Sequence, residues 1–239
     1  MCDVCGCGDP EIVPVEVHES ILAGNDRGAR HNRDHFQEAG VLALNLMGSP
    51  GSGKTAVLEA TAHRLRTHLR LGAMSADLAT ERDAERLARA GIPAAAITTG
   101  SACHLDAELV HQGLHKLPWR ELDVLFVENV GNLVCPAVYD LGQAANVVVL
   151  SIAEGEDKPL KYPVMFRRAD LVLLSKMDLL PHLDVDLAAV EDALARVMPQ
   201  PNVLRVSART GEGLDAWVAW LLDRRAAVQA RPRAHLHPH

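Results

Sequence analysis

The stretch that decides the fold is residues 41–55, which read Val41-Leu42-Ala43-Leu44-Asn45-Leu46-Met47-Gly48-Ser49-Pro50-Gly51-Ser52-Gly53-Lys54-Thr55. An apolar run of strand length passes into the pattern G-x-x-x-x-G-K-T, and an amphipathic run of helical length follows. Loops of this kind surround phosphate groups with backbone N–H donors, and the helix N-terminus adds more. A glycine-rich turn that binds nothing would not need the strand and the helix as well, so the context predicts a phosphate-binding loop.

The residues of this loop predict which ligand it holds. We expect Lys54 to reach the β and γ phosphates and the Thr55 hydroxyl to ligate Mg²⁺. The residues expected to contribute to the phosphate cradle before them are Gly48, Gly51, Ser52 and Gly53. The pattern therefore predicts a nucleoside triphosphate bound together with a magnesium ion.

Strands and helices alternate along the rest of the chain. The predicted strands are Val41–Met47, Gly72–Ala76, Ala94–Thr98, Val124–Glu128, Asn146–Ile152, Leu171–Ser175 and Val203–Ser207. The predicted helices are Lys54–Leu69, Glu81–Ala90, Asp106–Leu117, Asp186–Val197 and Leu214–Ala227. This alternation predicts an α/β fold with a doubly wound, mostly parallel sheet, here a P-loop NTPase domain. We place that domain at residues 41–228, between a flexible cysteine-containing head with a linker or helix (residues 1–40) and a disordered histidine-containing tail (residues 229–239).

Composition narrows the class of protein. Of 239 residues, 48% are hydrophobic and only 3% aromatic, which suits an aliphatic parallel sheet buried on both faces. The formal net charge of −7 argues against nonspecific nucleic-acid binding, which needs a dense positive surface. No apolar run reaches the ~20 residues that span a bilayer, and the polar start does not resemble a signal peptide. We expect a cytoplasmic protein that binds neither nucleic acid nor membranes.

A second acidic element is expected to help hold the magnesium ion. The apolar strand Val124–Glu128 ends in a carboxylate, and Gly131 follows with an N–H for the γ phosphate. Asp77 ends another strand and is a candidate to position Mg²⁺ or the attacking water, while a helix-capping role fits it equally well. The predicted catalytic residues are therefore Lys54, Asp77 and Glu128.

The run Ser175-Lys176-Met177-Asp178 predicts which base is bound. It resembles the guanine-recognition pattern Asn-Lys-x-Asp, with serine in place of asparagine. A carboxylate at Asp178 accepts from guanine N1–H and the exocyclic amine together, a donor pair that adenine lacks. We expect Lys176 to pack its stem over the base and the loop at Ser207-Ala208 to offer a backbone N–H to guanine O6. The serine is expected to lose one tether to the phosphate loop.

Three of the five cysteines, Cys2, Cys5 and Cys7, lie close together at the start of the chain. In a cytosolic protein such a cluster favours metal binding or redox chemistry over a disulfide framework. Soft sulfur ligands suit Zn²⁺, Cu(I) or Ni²⁺. If Met1 is removed, the α-amino group of Cys2 is a candidate fourth ligand, and a planar set of one nitrogen and three sulfurs would suit Ni²⁺. An incidental or redox-active cluster is the alternative.

The other two cysteines follow predicted strands. Cys103-His104 comes after the strand Ala94–Thr98, and Cys135 comes after the strand that carries Glu128. Both therefore lie beyond the carboxyl ends of strands, where nucleotides bind to such sheets. Two sulfurs and an imidazole are an incomplete ligand set for zinc or nickel, which water or a second subunit can complete. Two buried thiols and a helix-capping histidine remain the alternative for these residues taken alone.

Together these features resemble the HypB family, the nickel-insertion GTPases of nickel–iron hydrogenase maturation in the SIMIBI class of P-loop GTPases. The resemblance covers essentially the whole chain, and its motifs are far more specific than a phosphate loop. The segments that carry it are Met1–Gly8, Ile21–Asp26, Thr99–Asp106, Glu128–Pro136 and Glu154–Pro163.

The resemblance implies a high-affinity nickel site on the three head cysteines and a nickel or zinc site on Cys103, His104 and Cys135. The second site is expected near a homodimer interface promoted by GTP or metal, with Lys158 approaching the partner's nucleotide. The implied partners are a second hydrogenase-maturation metallochaperone and the hydrogenase large subunit. Some family members carry a long histidine-rich stretch after the head, whereas here the histidines are scattered, which argues against nickel storage: His18, His31 and His35.

The sequence thus predicts a GTPase that uses GTP, Mg²⁺ and Ni²⁺ or Zn²⁺, with metal affinity coupled to the nucleotide state. GTP would move the segment 128–131 and with it the site at Cys135, and hydrolysis to GDP would reset both. The alternatives are a P-loop kinase or ligase, a metal-binding module with a vestigial nucleotide site, and a urease-type nickel GTPase. Asp178 argues against the first, the intact Lys54 and Thr55 against the second, and the cysteine head against the third.

Overall fold

The structure is a computed structural model that describes residues 15–77, 82–100 and 104–230, without the side chains of residues 15–21 and Asp77. The three head cysteines, Cys103 and residues 231–239 of the predicted tail lie outside the described residues. The predictions made for them, and the domain limits proposed from the sequence, stay predictions.

Within the described residues the strands form one parallel sheet. The strands are β1 Leu42–Met47, β2 Leu71–Asp77, β3 Ala94–Thr98, β4 Val124–Glu128, β5 Ala145–Ser151, β6 Leu171–Ser175 and β7 Val203–Arg205. Their order across the sheet is β3-β2-β4-β1-β5-β6-β7, and every pairing is parallel. The predicted α/β class with a parallel sheet is confirmed.

Helices cover both faces of this sheet. They are α1 Val15–Ala39, α2 Lys54–Leu65, α3 Arg82–Arg89, α4 Ala107–Leu114, α5 Lys158–Lys161, α6 Pro163–Arg167, α7 Leu187–Val197 and α8 Leu214–Gln229. One core layer joins the sheet to α2, α3 and α8. On the opposite face α1 and α4 cover one half of the sheet, and α6 and α7 cover the other. The fold is therefore doubly wound.

Strand β1 shows why both faces need a cover. Leu44 and Leu46 lie in the core layer of one face, whereas Ala43 and Met47 lie in the layers of the other. All of them are buried, which is the pattern of a central parallel strand. The strand order reverses at β1, between β4 and β5. Ligands of such sheets bind beyond the carboxyl ends of the strands at this reversal, and the phosphate loop leaves β1 there.

The predicted boundaries differ from the observed ones mainly at helix ends. The sequence predicts helices that begin at Asp106 and Asp186, but each of these residues is an N-cap whose carboxylate accepts a backbone N–H of the first turn. Helix α2 ends at Leu65 instead of Leu69 because residues 66–69 form a turn. Strand β7 stops at Arg205 because Ser207 N donates to Glu212 O in the next turn. The short helices α5 and α6 were not predicted.

A buried asparagine joins α1 to the rest of the domain. Asn32 has no exposed surface, and its Nδ2 donates to Ala107 O at 2.8 Å and to Leu141 O at 3.2 Å. Asn25, two turns earlier, accepts from Ala107 N at 2.9 Å. These bonds fix α1 against the first turn of α4, which follows His104 along the chain.

We expect Asn32→Ala to lower the free energy of unfolding by about 1–3 kcal/mol, because two buried carbonyl groups lose a donor. Urea denaturation followed by circular dichroism measures the change. Gln37→Ala, at an exposed position of the same helix, is the control and should change stability by less than about 0.5 kcal/mol. Equal stability of the two variants would contradict the role given to Asn32.

Candidate nucleotide and metal site

The phosphate loop is tightly fitted between two strands. Gly48 has a φ of +148°, and a Cβ there would lie 2.3 Å from Val149 O of β5, so only glycine fits. Gly53 has a φ of +100° immediately before α2 begins at Lys54. The loop and the first turn of α2 line a cavity of about 490 Å³ that also reaches β4 and α3. The predicted strand–loop–helix arrangement is present.

Lys54 lies inside this loop and not in solvent. Its side chain is buried, and its Nζ donates to Gly48 O and Ser49 O, both at 3.1 Å. Burial lowers the pKa of Lys54, and the charge of Glu128 opposes that shift. The ammonium is thus held at the wall of the cavity, where an anion would offset its desolvation.

Thr55 and Glu128 form a direct contact between the loop and β4. Thr55 Oγ1 donates to Glu128 Oε1 at 2.8 Å, and Glu128 is only 3% exposed. Burial raises the pKa of Glu128 to about 6, while the Thr55 hydroxyl and the Lys54 ammonium oppose the shift. Glu128 Oε2 is buried without a hydrogen-bond partner among the described residues. One hydroxyl and one carboxylate oxygen at a phosphate cavity are ligands that Mg²⁺ prefers.

The segment after β4 crosses the phosphate loop. Gly48 and Asn132 form an isolated antiparallel bridge. Gly131 lies so close to the loop that a Cβ there would be 2.9 Å from Pro50 Cγ and 3.0 Å from Pro50 N. Gly131 also lines the cavity, and its contact with the γ phosphate stays a prediction.

Several residues at this cavity were missed by the sequence reasoning. Asp83 and Arg86 of α3 line it, and the Arg86 guanidinium donates to Glu59 at 2.7 and 3.1 Å and to Asp83 at 3.1 Å. Ser49 Oγ donates a hydrogen bond to the carboxylate of Glu154. Glu154 begins the segment Glu154–Pro163 that resembles the family, but the sequence alone does not show that its carboxylate reaches the phosphate loop.

The residues predicted to recognise the base lie side by side after β6 and β7. Ser207 Oγ donates to Asp178 Oδ1 at 2.6 Å, and Ala208 follows it. Lys176, with a φ of +60°, donates from Nζ to Gly51 O at 2.6 Å. The two predicted loops therefore meet, and both reach the phosphate loop's side of the sheet.

One expectation about this motif was wrong. The serine at position 175 was expected to lose a tether to the phosphate loop. Instead Ser175 is buried, and its Oγ donates to Ser52 O at 2.6 Å. The shorter side chain still reaches the loop because the loop packs closely on the end of β6: a Cβ on Gly53 would lie 3.7 Å from Ser175 Oγ.

The described part of the predicted second metal site is His104 and Cys135. Both are buried, at 3% and 5% exposure, and Cys135 starts a 3-10 turn over Cys135–Ala137. The His104 ring stacks on Tyr139, just after that turn, with centroids 3.8 Å apart. Burial lowers the pKa of His104. The two predicted ligands thus belong to segments in contact, while the third, Cys103, is outside the described residues.

Two further predicted site residues lie at the edges of this region. Asp77 is the last residue of β2, paired with Thr98 of β3, and its side chain is not described. Lys158 is the first residue of α5 and lies with Nζ 5.4 Å from the centroid of the Tyr162 ring. Their roles stay predictions.

A phosphate loop after β1, an acidic residue at the end of β4 and two adjoining loops after β6 and β7 are the features of a P-loop nucleotide-binding protein. The family model "CobW/HypB/UreG, nucleotide-binding domain" matches residues 42–205. Hydrogenase maturation factor HypB of Azotobacter chroococcum mcd 1 is 49% identical over 213 residues, which are 89% of this chain and 70% of that protein.

Two solved structures agree. HypB of Archaeoglobus fulgidus is 38% identical with a TM-score of 0.80, covering 85% of this chain and 100% of that one. HypB of Helicobacter pylori in complex with nickel is 36% identical with a TM-score of 0.82, covering 90% and 100%. The chain therefore belongs to the CobW/HypB/UreG family and, within it, to the hydrogenase maturation factors HypB, which confirms the resemblance.

No helix in the described ranges combines the length and the apolar character that crossing a bilayer requires.

The raised pKa of Glu128 makes the stability of the protein without nucleotide and metal depend on pH. Below about pH 4.5, the usual pKa of a glutamate, the carboxyl is protonated in both the folded and the unfolded chain. Burying it then carries no cost of desolvating a charge. Between that value and about 6 the unfolded chain gives up the proton more readily, so stability falls as pH rises, by about 2 kcal/mol in total.

Glu128→Gln should remove this fall, because the amide oxygen still accepts from Thr55 and nothing ionises. Urea denaturation at pH 4 and 7.5 should show the variant gaining about 2 kcal/mol on the wild type across that range. Glu85→Gln, at an exposed position of α3, is the control. A gain no larger than that of the control would mean that Glu128 is not a penalised carboxylate.

Proposed function

We propose that this protein is a GTP-hydrolysing metallochaperone that delivers nickel during nickel–iron hydrogenase maturation, with its metal site coupled to the nucleotide. The observation that carries the proposal is that Glu128, which is hydrogen-bonded to Thr55, is joined to Cys135 by one short chain segment, residues 129–134. The names of its relatives support it: they are hydrogenase maturation factors, and one was solved with nickel.

GTP is the proposed nucleotide because of Asp178. Ser207 donates to one oxygen of this carboxylate, which leaves the second oxygen, 3.9 Å from Arg209 Nη1, to accept from a guanine edge. Lys176 and Ser175 fix the same loop to the phosphate loop by bonds to Gly51 O and Ser52 O. These bonds fix the distance between the proposed base site and the phosphate site, as one nucleotide that binds across both sites requires.

For hydrolysis we assign four tasks. Lys54 and the loop residues Gly48, Gly51, Ser52 and Gly53 bind the phosphates, and the ammonium offsets charge on the γ phosphate. Thr55 and Asp77 would hold Mg²⁺, with Glu128 behind them, and the ion would supply neutralisation of the phosphate oxygens. Asp77 or Glu128 orients the attacking water, and Gly131 N–H senses the γ phosphate.

Coupling to the metal site would pass through Asn129. This side chain is 1% exposed; its Oδ1 accepts from Leu105 N at 3.1 Å, and its Nδ2 donates to Asn45 Oδ1 at 3.1 Å. Leu105 adjoins His104, and Asn129 adjoins Glu128. A shift of the residues that contact the γ phosphate is therefore passed to both sides of the proposed site at Cys103, His104 and Cys135.

The remaining parts of the proposal rest on the family. Cys2, Cys5 and Cys7 would be the high-affinity nickel site, and the site at Cys135 would take nickel or zinc. GTP or metal would promote a homodimer in which Lys158 approaches the partner's nucleotide. Nickel would pass to or from a second maturation metallochaperone on its way to the hydrogenase large subunit.

The proposed base specificity is tested by Asp178→Asn. The variant loses a charged acceptor for two guanine donors. At about 1.5 kcal/mol for each of these two hydrogen bonds, kcat/KM for GTP should fall about 100-fold. Turnover of xanthosine triphosphate, which presents an acceptor at the altered edge, should rise. Steady-state phosphate release with GTP, XTP and ATP measures this. Lys54→Ala should abolish all turnover, whereas Lys116→Ala, at an exposed position in the turn after α4, should leave turnover unchanged.

If Asp178→Asn hydrolysed GTP and XTP in the wild-type ratio, the guanine assignment would be wrong. Equal turnover of ATP and GTP by the wild type would favour the alternative of a P-loop kinase. A rate for the wild type as low as that of Lys54→Ala would favour a metal-binding module.

The proposed coupling is tested by Asn129→Ala. In the wild type, Ni²⁺ should change the affinity for a GTP analogue about 5- to 150-fold, the usual range for linked sites. The variant should bind both ligands but show little of this change, because the bond to Leu105 is lost. Fluorescent-nucleotide titration with and without Ni²⁺ measures it. Asn202→Ala, whose amide donates to Asp170 O far from the loop, is the matched control. Full coupling in the Asn129 variant would rule out this route.

A further inference from the structure

Three histidines meet on the outer face of the contact between α1 and α4. His31 and His35 are one turn apart on α1, with ring centroids 4.1 Å apart. His111 of α4 faces them, with its centroid 5.1 Å from that of His31 and 5.7 Å from that of His35. His31 and His111 are 80 positions apart in the sequence, so the three rings meet because α1 packs on α4. We call them the histidine cluster.

The ring nitrogens of the cluster are arranged around one point. A nitrogen of each ring lies within 4.8 Å of a nitrogen of each other ring. Imidazoles that bind one ion at about 2.1 Å have their nitrogens about 3–4 Å apart, so small side-chain rotations bring the three to bonding distance. His35 Nδ1 and His111 Nδ1 are buried and have no hydrogen-bond partner among the described residues. Buried nitrogens without partners are costly, and a bound ion is one way to satisfy them.

We propose that His31, His35 and His111 form a further metal site, which takes a divalent transition ion such as Ni²⁺ or Zn²⁺ between α1 and α4. Imidazole nitrogen is a ligand of choice for both ions. This site shares no residue with the head cysteines or with the proposed site at Cys135. It therefore goes beyond the proposed function and stands or falls without it.

The surroundings of the cluster restrain the rings. Trp119 stacks on His35 with centroids 5.8 Å apart and planes 9° apart. His115, at the end of α4, places its ring 5.3 Å from that of His111 and is a candidate fourth ligand besides water. Burial lowers the pKa of His35, as do the neighbouring His31 and Arg120.

Aromatic stacking alone does not explain the cluster. It accounts for His35 against Trp119, but it gives no partner to the buried Nδ1 of His111. His31 is exposed, so the cluster is open to ions from solvent on one side. An ion there would cross-link α1 to α4, whose first turn follows His104 and is already held by Asn32.

The test uses the full chain with the other thiol and tail ligands removed. In this background protein all five cysteines are changed to alanine and the tail histidines to asparagine: Cys2, Cys5, Cys7, Cys103, Cys135, His235, His237 and His239. Isothermal titration with Ni²⁺ and with Zn²⁺ should give about one ion per chain. Saturation should raise the thermal midpoint by about 5 °C at 100-fold excess over Kd.

His35→Asn and His111→Asn in this background should each weaken ion binding at least about 10-fold and remove the thermal shift. The control is the pair His68→Asn and His182→Asn, two exposed histidines on other parts of the surface, which should change neither. His115→Asn separates a three-histidine from a four-histidine site: the affinity falls only if His115 is a ligand.

Urea denaturation without metal checks that the variants fold. If the substitution of a partly buried histidine unfolds the chain, the exposed His31→Asn replaces it, and the same loss of binding is expected. Co²⁺ supplies a second readout, because its paramagnetism should shift the imidazole proton resonances of the three ligands. A background protein that binds neither Ni²⁺ nor Zn²⁺, or cluster variants that bind as the control does, would overturn the proposal.

Discussion

The hydrogen bond from Thr55 to Glu128 joins the two structural parts on which the site depends, the phosphate loop after β1 and the end of β4. It places a carboxylate where burial raises its pKa to about 6, so the negative charge is held at a cost in the absence of a cation. Lys54 is buried beside it, and burial lowers the pKa of its ammonium, so the positive charge is also held at a cost. In the proposed function a triphosphate with its magnesium ion would offset both costs, since it would bring anionic charge to Lys54 and cationic charge to Glu128.

The order of the parallel strands places this contact next to the segment that leads to the proposed metal site. Because β1 lies between β4 and β5, the segment that follows β4 crosses the phosphate loop. The Gly48–Asn132 bridge and the close approach of Gly131 to Pro50 are the contacts of this crossing. The same chain segment then reaches Cys135. On its other side Asn129 holds Leu105, next to His104. The proposed nucleotide-driven shift and the proposed metal site would thus depend on the same few residues.

Much of this was predictable from the sequence because it depends on local pattern. The loop is a contiguous motif, and the strands ending in Glu128 and Ser175 are uninterrupted apolar runs, so their limits were predicted correctly. What the sequence could not show are side-chain pairs set by distances between segments. The Ser49–Glu154 bond, the Arg86 contacts at the cavity and the tether from Ser175 belong to this class. The histidine cluster does too: His31 and His35 looked scattered until the packing of α4 added His111.

The central claim is that the nucleotide state sets the affinity of the metal site beside Cys135. The most direct measurement is Ni²⁺ titration of a variant whose three head cysteines are replaced, once with GDP and once with a non-hydrolysable GTP analogue. The account predicts Kd values that differ by at least about 5-fold and a difference that disappears when Cys135 is also replaced. The same Kd with both nucleotides would contradict it.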